Sequence, residues 1–214
     1  MSIGNFFNPE SVAIVGASTQ KGKVGYEILK NMIDAGYRGK IFPINPKAES
    51  IEGLKCHPDL ESLGVIPDLV IIVVPAKIVP AIMQQCAKVK VKSVIIITAG
   101  FREIGAEGRE LEEQITQIAK QVGIRIIGPN CLGVVVPANK LNASFGGELP
   151  AVGSIGYLSQ SGALLTAILD MANANDIGFS KLVSIGNKAD VNELDLVKAL
   201  ASDKDTKVIA GYLE

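Results

Sequence analysis

Asp68-Leu-Val-Ile-Ile-Val-Val74 is the stretch that most restricts the fold. After the aspartate, six aliphatic residues follow without a polar break. A strand built from them has two apolar faces, and helices must cover both. The run is far short of the ~18 residues that a membrane span needs. Pro75 lacks an N–H and fixes its own dihedral, so the chain leaves the sheet there and the strand's carboxyl end stays open. Ser93 to Thr98 has the same character and runs out in Thr98-Ala99-Gly100-Phe101.

Ser11 to Val15, Lys40 to Ile44 and Arg125 to Ile127 have strand composition too, and helical patterns lie between the strands. Gly25 to Ala35 carries Ile28, Leu29, Met32 and Ile33 on one side. Val79 to Val89 follows the apolar strand, and Ala106 to Val122 places Leu111, Ile115 and Ile118 at helical spacing. This alternation defines an α/β unit with a parallel sheet over residues 1–128. Ligands of such sheets lie against the carboxyl ends of the strands, near the point where strand order reverses. That places Ser18, Lys47, Pro75 and Thr98 around one crevice.

Ser11-Val-Ala-Ile-Val15, the turn Gly16-Ala17-Ser18 and the next helix form the opening of a nucleotide-binding sheet. Five residues separate Gly16 from Gly22, where the dinucleotide pattern G-x-G-x-x-G allows one. A nicotinamide enzyme usually ends its second strand in an acidic residue that holds the ribose hydroxyls. Here Asn45-Pro46-Lys47 occupies that place. A cation there suits an additional phosphate on the ribose, which points to coenzyme A or NADP, unless Lys47 is simply a solvated loop residue.

Residues 129–151 hold three prolines, four glycines or serines and little periodicity, the composition of a connector. A second unit over 152–214 follows: a strand at Val152 to Leu158, a helix at Ala163 to Ala172, a strand at Lys181 to Ile185, a helix at Leu194 to Ala201 and a strand at Lys207 to Leu213. Three strands and two helices leave a sheet edge and a face poorly covered, which implies a larger protein, a partner chain or a truncation. The turn Ser159-Gln160-Ser161-Gly162 precedes its first helix. Unpaired N–H groups at a helix start, the positive end of the peptide dipoles and a glycine that admits close approach make an anion site. The alternative is that Ser159 or Ser161 only caps the helix. Ser184 to Asn187 is expected to be a second strand-end loop facing the same site, or else an ordinary turn.

The composition narrows the function classes. Lys plus Arg number 21 against 22 for Asp plus Glu, so no overall basic field exists to hold nucleic acid or an anionic membrane. Residues 1–9 lack a basic region followed by an apolar core, so no secretion signal is expected. Cys56, Cys86 and Cys131 are odd in number and widely spaced, which suits neither a disulfide framework nor a metal site and points to a reducing cytoplasm.

Seven segments, in order, carry a resemblance: SVAIVGAS at 11–18, INPK at 44–47, VPAK at 74–77, ITAGF at 97–101, GPNCLG at 128–133, SQSG at 159–162 and SIGNKADV at 184–191. The chain resembles the coenzyme A-binding α portion of ADP-forming acyl-CoA synthetases, relatives of the succinyl-CoA synthetase α subunit. The resemblance implies a Rossmann-like CoA-binding domain followed by a partial flavodoxin-like, succinyl-CoA synthetase-like α/β domain. It implies that Gly16, Ala17, Ser18, Lys47, Val74, Pro75, Ala76, Thr98 and Ala99 hold coenzyme A. Ser159, Gln160, Ser161 and Gly162 would hold phosphate, with Asn130 and Cys131 near the thiol end. Cys131 reads equally as a small buried apolar residue.

The reaction implied is acid plus ATP plus coenzyme A giving acyl-CoA, ADP and phosphate, through an acyl phosphate and a phosphohistidine. Imidazole suits that step because it attacks and releases phosphoryl groups near neutral pH. The chain has one histidine, His57, which does not match the family's position and reads as a surface loop residue. By the same resemblance Glu214 matches a glutamate that hydrogen-bonds and orients the missing histidine, unless it is simply a solvated carboxylate. ATP or ADP with Mg would bind through an ATP-grasp β subunit or fused domain outside this chain, and the small carboxylic acid or acyl-CoA is the substrate. An oligomer is expected, and the chain alone is expected to be inactive. A serine hydrolase is disfavoured because 159–163 does not fit G-x-S-x-G, and an NADP oxidoreductase by the glycine spacing. A non-catalytic CoA-binding regulatory or sensor module is the alternative.

Overall fold

The structure is a computed structural model that describes residues 3–214. Two five-stranded sheets form its frame. The first contains β1 (Ser11–Val15), β2 (Lys40–Ile44), β5 (Leu69–Ile72), β6 (Ser93–Ile96) and β7 (Arg125–Ile127), the last matching its predicted bounds. A small hairpin of β3 (Ser50–Ile51) and β4 (Leu54–Lys55) lies between β2 and β5 in sequence. The order β2-β1-β5-β6-β7 is parallel throughout. It reverses direction between β1 and β5, the switch point at which such sheets hold ligands.

Helices cover both faces, as the apolar strands require. Leu69, Val70, Ile71 and Ile72 of β5 are all wholly buried. Ile28, Leu29 and Met32 of α1 (Val24–Asp34) pack with Ile71 and Ile95 on one side. Met83 and Cys86 of α2 (Val79–Lys88) and Ile115 and Ala119 of α3 (Ala106–Val122) pack with Val70, Ile72 and Ile96 on the other. Amphipathic spacing drives this burial: the apolar positions recur on one helical face, and each buried aliphatic side chain contributes roughly 1.5–3 kcal/mol. Gly123 ends α3 with a left-handed φ of 71°, a conformation glycine adopts without steric cost.

The segment expected to be a connector is corrected by the second sheet. Gly133–Val136 forms β8 and Leu141–Ser144 forms β9, an antiparallel hairpin turned by residues 137–140. β8 pairs antiparallel with β11 (Phe179–Ser184), which lies parallel to β10 (Val152–Ser159), and β10 is parallel to β12 (Val208–Tyr212). The order is β12-β10-β11-β8-β9, with α4 (Gly162–Ala174) and α5 (Glu193–Ala201) between the parallel strands. Alternation was absent from the hairpin because Gly133–Val136 and Leu141–Ser144 are buried on both faces. Even Asn142 and Ser144 are enclosed, with their side chains bonded to each other at 2.6 Å.

The second sheet therefore has more cover than its three parallel strands implied. α1 of the first unit packs on β9, where Asn31 Nδ2 donates to the carbonyls of Ser144 and Gly146 at 3.0 and 2.8 Å. One apolar core runs through both units, from Ile14 and Ile95 to Val183 and Leu196. Arg125 of β7 reaches across to Asp190 and Asp195, each at 2.8 Å. β12 is the exposed edge, with Val208 and Tyr212 largely open to solvent. His57 is also more ordered than a surface loop residue: it is half-buried, its backbone pairs with Pro43 and Asn45, and its ring meets Phe42 edge-on at 6.2 Å.

Candidate functional site

The carboxyl ends of both parallel sets of strands open into one cavity of about 1410 Å³. Typical small-molecule clefts have ~300–1,000 Å³, so this one has room for a long, segmented ligand. Gly16, Ala17, Ser18, Lys47, Val74, Pro75, Thr98 and Ala99 line it from the first unit. Gln160, Ser161, Gly162 and Glu214 line it from the second, with Asn130 and Cys131 from the crossing segment. Two expected residues do not. Ser159 is wholly buried, and its hydroxyl donates to the Ser161 carbonyl at 2.7 Å while accepting from the Ser161 N–H at 3.2 Å. Ala76 is partly buried against the cluster that contains Val79 and Phe101.

The turn after β1 is built by close backbone approach. Gly16 has φ +94°, and a Cβ on it would lie 2.8 Å from the Val73 carbonyl oxygen. That contact sets the turn directly against the end of β5, with no side chain between the ligand-facing backbone segments. Asn45 organises the neighbouring loop: its Nδ2 donates to the Ala17 carbonyl at 2.8 Å and its Oδ1 accepts the Lys47 N–H at 2.8 Å. Lys47 is thereby held at the cavity as an exposed residue. Thr98 gives its hydroxyl to the Val74 carbonyl at 2.7 Å, which makes it a clasp between two strand ends.

At the start of α4 the capping role falls to Ser161. Ser161 caps the helix by accepting the Leu164 N–H at 3.2 Å, and its carbonyl takes the Leu165 N–H at 3.2 Å. The N–H groups of Gly162 and Ala163 remain at the open end. No acidic residue lies in the first turn. A Cβ on Gly162 would meet nothing nearer than Leu132, at 3.8 Å, so the ground before the helix is open. Gln160 supports the far wall by accepting the Glu214 N–H at 3.1 Å. Glu214 in turn raises the Tyr212 phenol by hydrogen bond and by charge.

Cys131 is a buried thiol. Burial pushes its thiol up to about 12, and Sγ donates to the Ile96 carbonyl at 3.3 Å; a reactive cysteine needs the opposite shift. The loop at 184–187 does not line the cavity either. It docks on the crossing segment, with the Asn187 N–H donating to the Pro129 carbonyl at 2.8 Å and the Ala189 N–H to that of Gly128 at 3.0 Å. Lys23 and Phe145 are cavity residues that the sequence did not single out, and Asn45 was noted only as part of the segment that holds Lys47. Asn45-Pro46 does carry a turn signature, since an asparagine side chain readily bonds the backbone two residues on. Phe145 lay inside the supposed connector and had no such signal. Among the described residues no cluster of His, Cys, Asp and Glu could hold a metal ion, and no helix is long and apolar enough to cross a membrane.

A parallel sheet whose switch point opens onto a cavity lined by Lys47, with a helix start on the same cavity, is the architecture of an α/β protein with a ligand cleft at the strands' carboxyl ends. The chain belongs to the CoA binding domain family, whose profile matches residues 10–137, and residues 152–214 match the succinyl-CoA ligase like flavodoxin domain. It is 51% identical to an ADP-forming acetate-CoA ligase of Methanocaldococcus jannaschii, over 96% of this chain and 29% of that protein. It is 43% identical to the α subunit of ADP-forming acetate-CoA ligase I of Pyrococcus furiosus, over 100% of this chain and 47% of that subunit. Among solved structures, a dinucleotide forming acetyl-coenzyme A synthetase 1 of Ca. Korarchaeum cryptofilum, in complex with phosphate and ADP, is 39% identical with a TM-score of 0.96. The match covers 100% of this chain and 46% of that one. The chain thus spans less than half the length of these relatives.

Proposed function

We propose that this chain is the CoA-binding and phosphate-binding portion of an ADP-forming acid-CoA ligase. The observation that carries the reading is the shared cavity: the crevice at the first sheet's switch point and the open start of α4 face the same space. Coenzyme A fits the residues present. Gly16 and Ala17 offer backbone at close range, Lys47 offers a cation for the ribose phosphate, and the apolar walls of Val74, Pro75 and Leu132 suit the pantetheine arm. When bound, the cofactor supplies the thiol that accepts the acyl group. Inorganic phosphate would sit on the N–H groups of Gly162 and Ala163, where helix dipole and hydrogen bonds both favour an anion.

The whole protein would convert acid, ATP and coenzyme A to acyl-CoA, ADP and phosphate. ATP, Mg and the phosphoryl-carrying histidine would come from an ATP-grasp partner or fused domain, with Glu214 placed at the cavity to orient that histidine. Similarity to ligases that are longer than this chain supports this division of labour. The same reading places the protein in the cytoplasm, as part of an oligomer.

Titration calorimetry with coenzyme A, dephospho-coenzyme A and NADP tests the cofactor. Coenzyme A is expected to bind most tightly and dephospho-coenzyme A more weakly; a preference for NADP would overturn the assignment. Acetate, ATP and coenzyme A are expected to give no turnover with the chain alone. Activity should appear on adding the ATP-grasp partner, whereas a ligand response that ignores the partner would favour a regulatory module.

A further inference from the structure

The seam between the two units carries a polar network that leads to the cavity wall. Asn187 is 7% exposed. Its Nδ2 donates to Glu103 Oε2 at 2.6 Å and to Glu112 Oε2 at 2.8 Å, while its Oδ1 accepts from Asn130 Nδ2 at 3.3 Å. The Arg102 guanidinium donates to its carbonyl and lies 3.5 Å from Glu112. Gly186, beside it, has φ +60°, and a Cβ there would come within 2.2 Å of the Pro129 carbonyl oxygen. The loop is therefore seated directly on the backbone of the crossing segment.

Two of these partners act on the cavity. Asn130 lines it, next to Cys131 and Leu132, and Leu132 lies 3.8 Å from a Cβ placed on Gly162 at the start of α4. Glu103 accepts the Gly100 N–H at 2.5 Å and the Phe101 N–H at 3.1 Å, which fixes the turn behind Thr98 and Ala99. Burial works to raise the Glu103 carboxyl. Hydrogen bonds from Asn187, Gly100 and Phe101 outweigh it and hold the group below its usual range.

We propose that Asn187 is a positioning residue for the thiol end of the cofactor. Through Asn130 and Glu103, it registers the second unit against the part of the wall that lies between Lys47 and Gly162. A primary amide suits the place because it offers two N–H donors to two carboxylates and one acceptor to a third residue. An aspartate of the same shape would set a third carboxylate against Glu103 and Glu112 and leave all three short of donors.

The inference rests on the coenzyme A reading, so the test uses two ligands. Coenzyme A has the pantetheine arm; adenosine 3′,5′-bisphosphate has only the nucleotide end. In calorimetry on the whole chain, Asn187→Asp is expected to weaken coenzyme A by about tenfold, the scale of one lost buried hydrogen bond. The bisphosphate should change by less than about twofold, within ordinary context effects on a distant site. Adding Glu103→Gln should recover part of the loss, because the glutamine can donate to the introduced carboxylate while still accepting from Gly100. If Asn187→Asp does not fold, Glu103→Gln alone takes its place and should weaken coenzyme A about threefold, selectively, as expected for a lost charge-assisted bond. Equal losses for both ligands, no loss, or no recovery in the double variant would overturn the proposal alone. An unaltered chain that binds neither ligand would overturn the cofactor reading and the proposal with it.

Discussion

Two helices begin at strand ends beside the cavity, and they begin in opposite ways. α1 starts against its own chain: a Cβ on Gly25 would lie 2.0 Å from the Gly16 carbonyl oxygen. A carboxylate already sits at its first turn, where Glu27 accepts the Gly22 N–H at 2.7 Å, and no side chain caps it. α4 starts with a serine cap, no acidic residue and open space before Gly162. A glycine after a strand-end turn therefore has two distinct uses. At α1 it permits helix and turn to touch, and in the proposed reading the first unit holds its anion with cations such as Lys47. At α4 it leaves the backbone donors uncovered, and an anion can sit on them directly.

The largest expected effect separates the two glycines. Gly25→Ala forces a methyl into a backbone carbonyl that cannot swing aside, at a cost of roughly 3 kcal/mol, the upper range for overpacking. Coenzyme A binding should fall with it, because the Gly16–Ser18 turn moves. Gly162→Ala meets only ordinary contact, and stability should stay within about 1 kcal/mol, since alanine is favoured over glycine inside helices. Urea unfolding of the two variants measures both. Equal destabilisation would erase the distinction between the helix starts.

Next in size is Ser161, which caps α4 beside the proposed phosphate site. Ser161→Ala should cost ~1 kcal/mol of stability through the lost cap. Ser161→Asp keeps a capping oxygen but brings a charge, so stability should hold while phosphate affinity falls about tenfold or more, from like-charge repulsion at the anion site. Phosphate titration monitored by calorimetry gives the affinity. Unchanged phosphate binding in the aspartate variant would place the anion elsewhere.

The contrast between the helix starts was only half legible in the sequence. Gly16, Ser18 and the SQSG turn announce strand–turn–helix units because glycine and serine at a strand end have few other uses. Nothing local distinguishes Gly25 from Gly162. The difference lies in what each faces, the Gly16 carbonyl in one case and a void in the other, and that depends on packing between segments. The first sheet was readable for a similar reason, since runs such as Leu69–Ile72 are buried on both faces and leave no choice of environment. The hairpin of β8 and β9 was not readable. Its Asn142 and Ser144 look solvated in sequence, and only their bond to each other, the Asn142 bond to the Gly147 carbonyl at 3.0 Å and the shelter of α1 make them interior. Ser159 misled in the same way, as a hydroxyl at a promising turn that is spent on the turn itself.

A smaller effect tests whether the first unit grips by cation. Lys47→Ala should weaken coenzyme A by about three- to tenfold, the scale of one partly solvated charge contact with phosphate. Dephospho-coenzyme A should be affected little. The loss should shrink as salt rises, because exposed charges are screened beyond about 8–10 Å near physiological ionic strength. Phosphate binding at α4, made by backbone N–H groups, should not change in this variant. A parallel loss of phosphate affinity would mean that one cation serves both ends of the cavity.

The smallest effect tests what the carboxylate at the start of α1 does. Glu27 supplies a negative charge to its own helix start and takes a loop N–H that an external anion could otherwise use. Glu27→Gln keeps the acceptor and removes the charge. Stability should change by only a few tenths of a kcal/mol, because charge–helix interactions at exposed positions are worth ~0.3–1 kcal/mol and glutamine retains the hydrogen bond. Phosphate affinity should also hold, since the proposed phosphate site is at α4 and the contact between Gly25 and the Gly16 carbonyl is unchanged. If the variant instead gains a second phosphate in titration, the carboxylate was the barrier and the steric closure was not. The two helix starts would then differ in charge alone, and Gly25→Ala should prove far milder than its geometry requires.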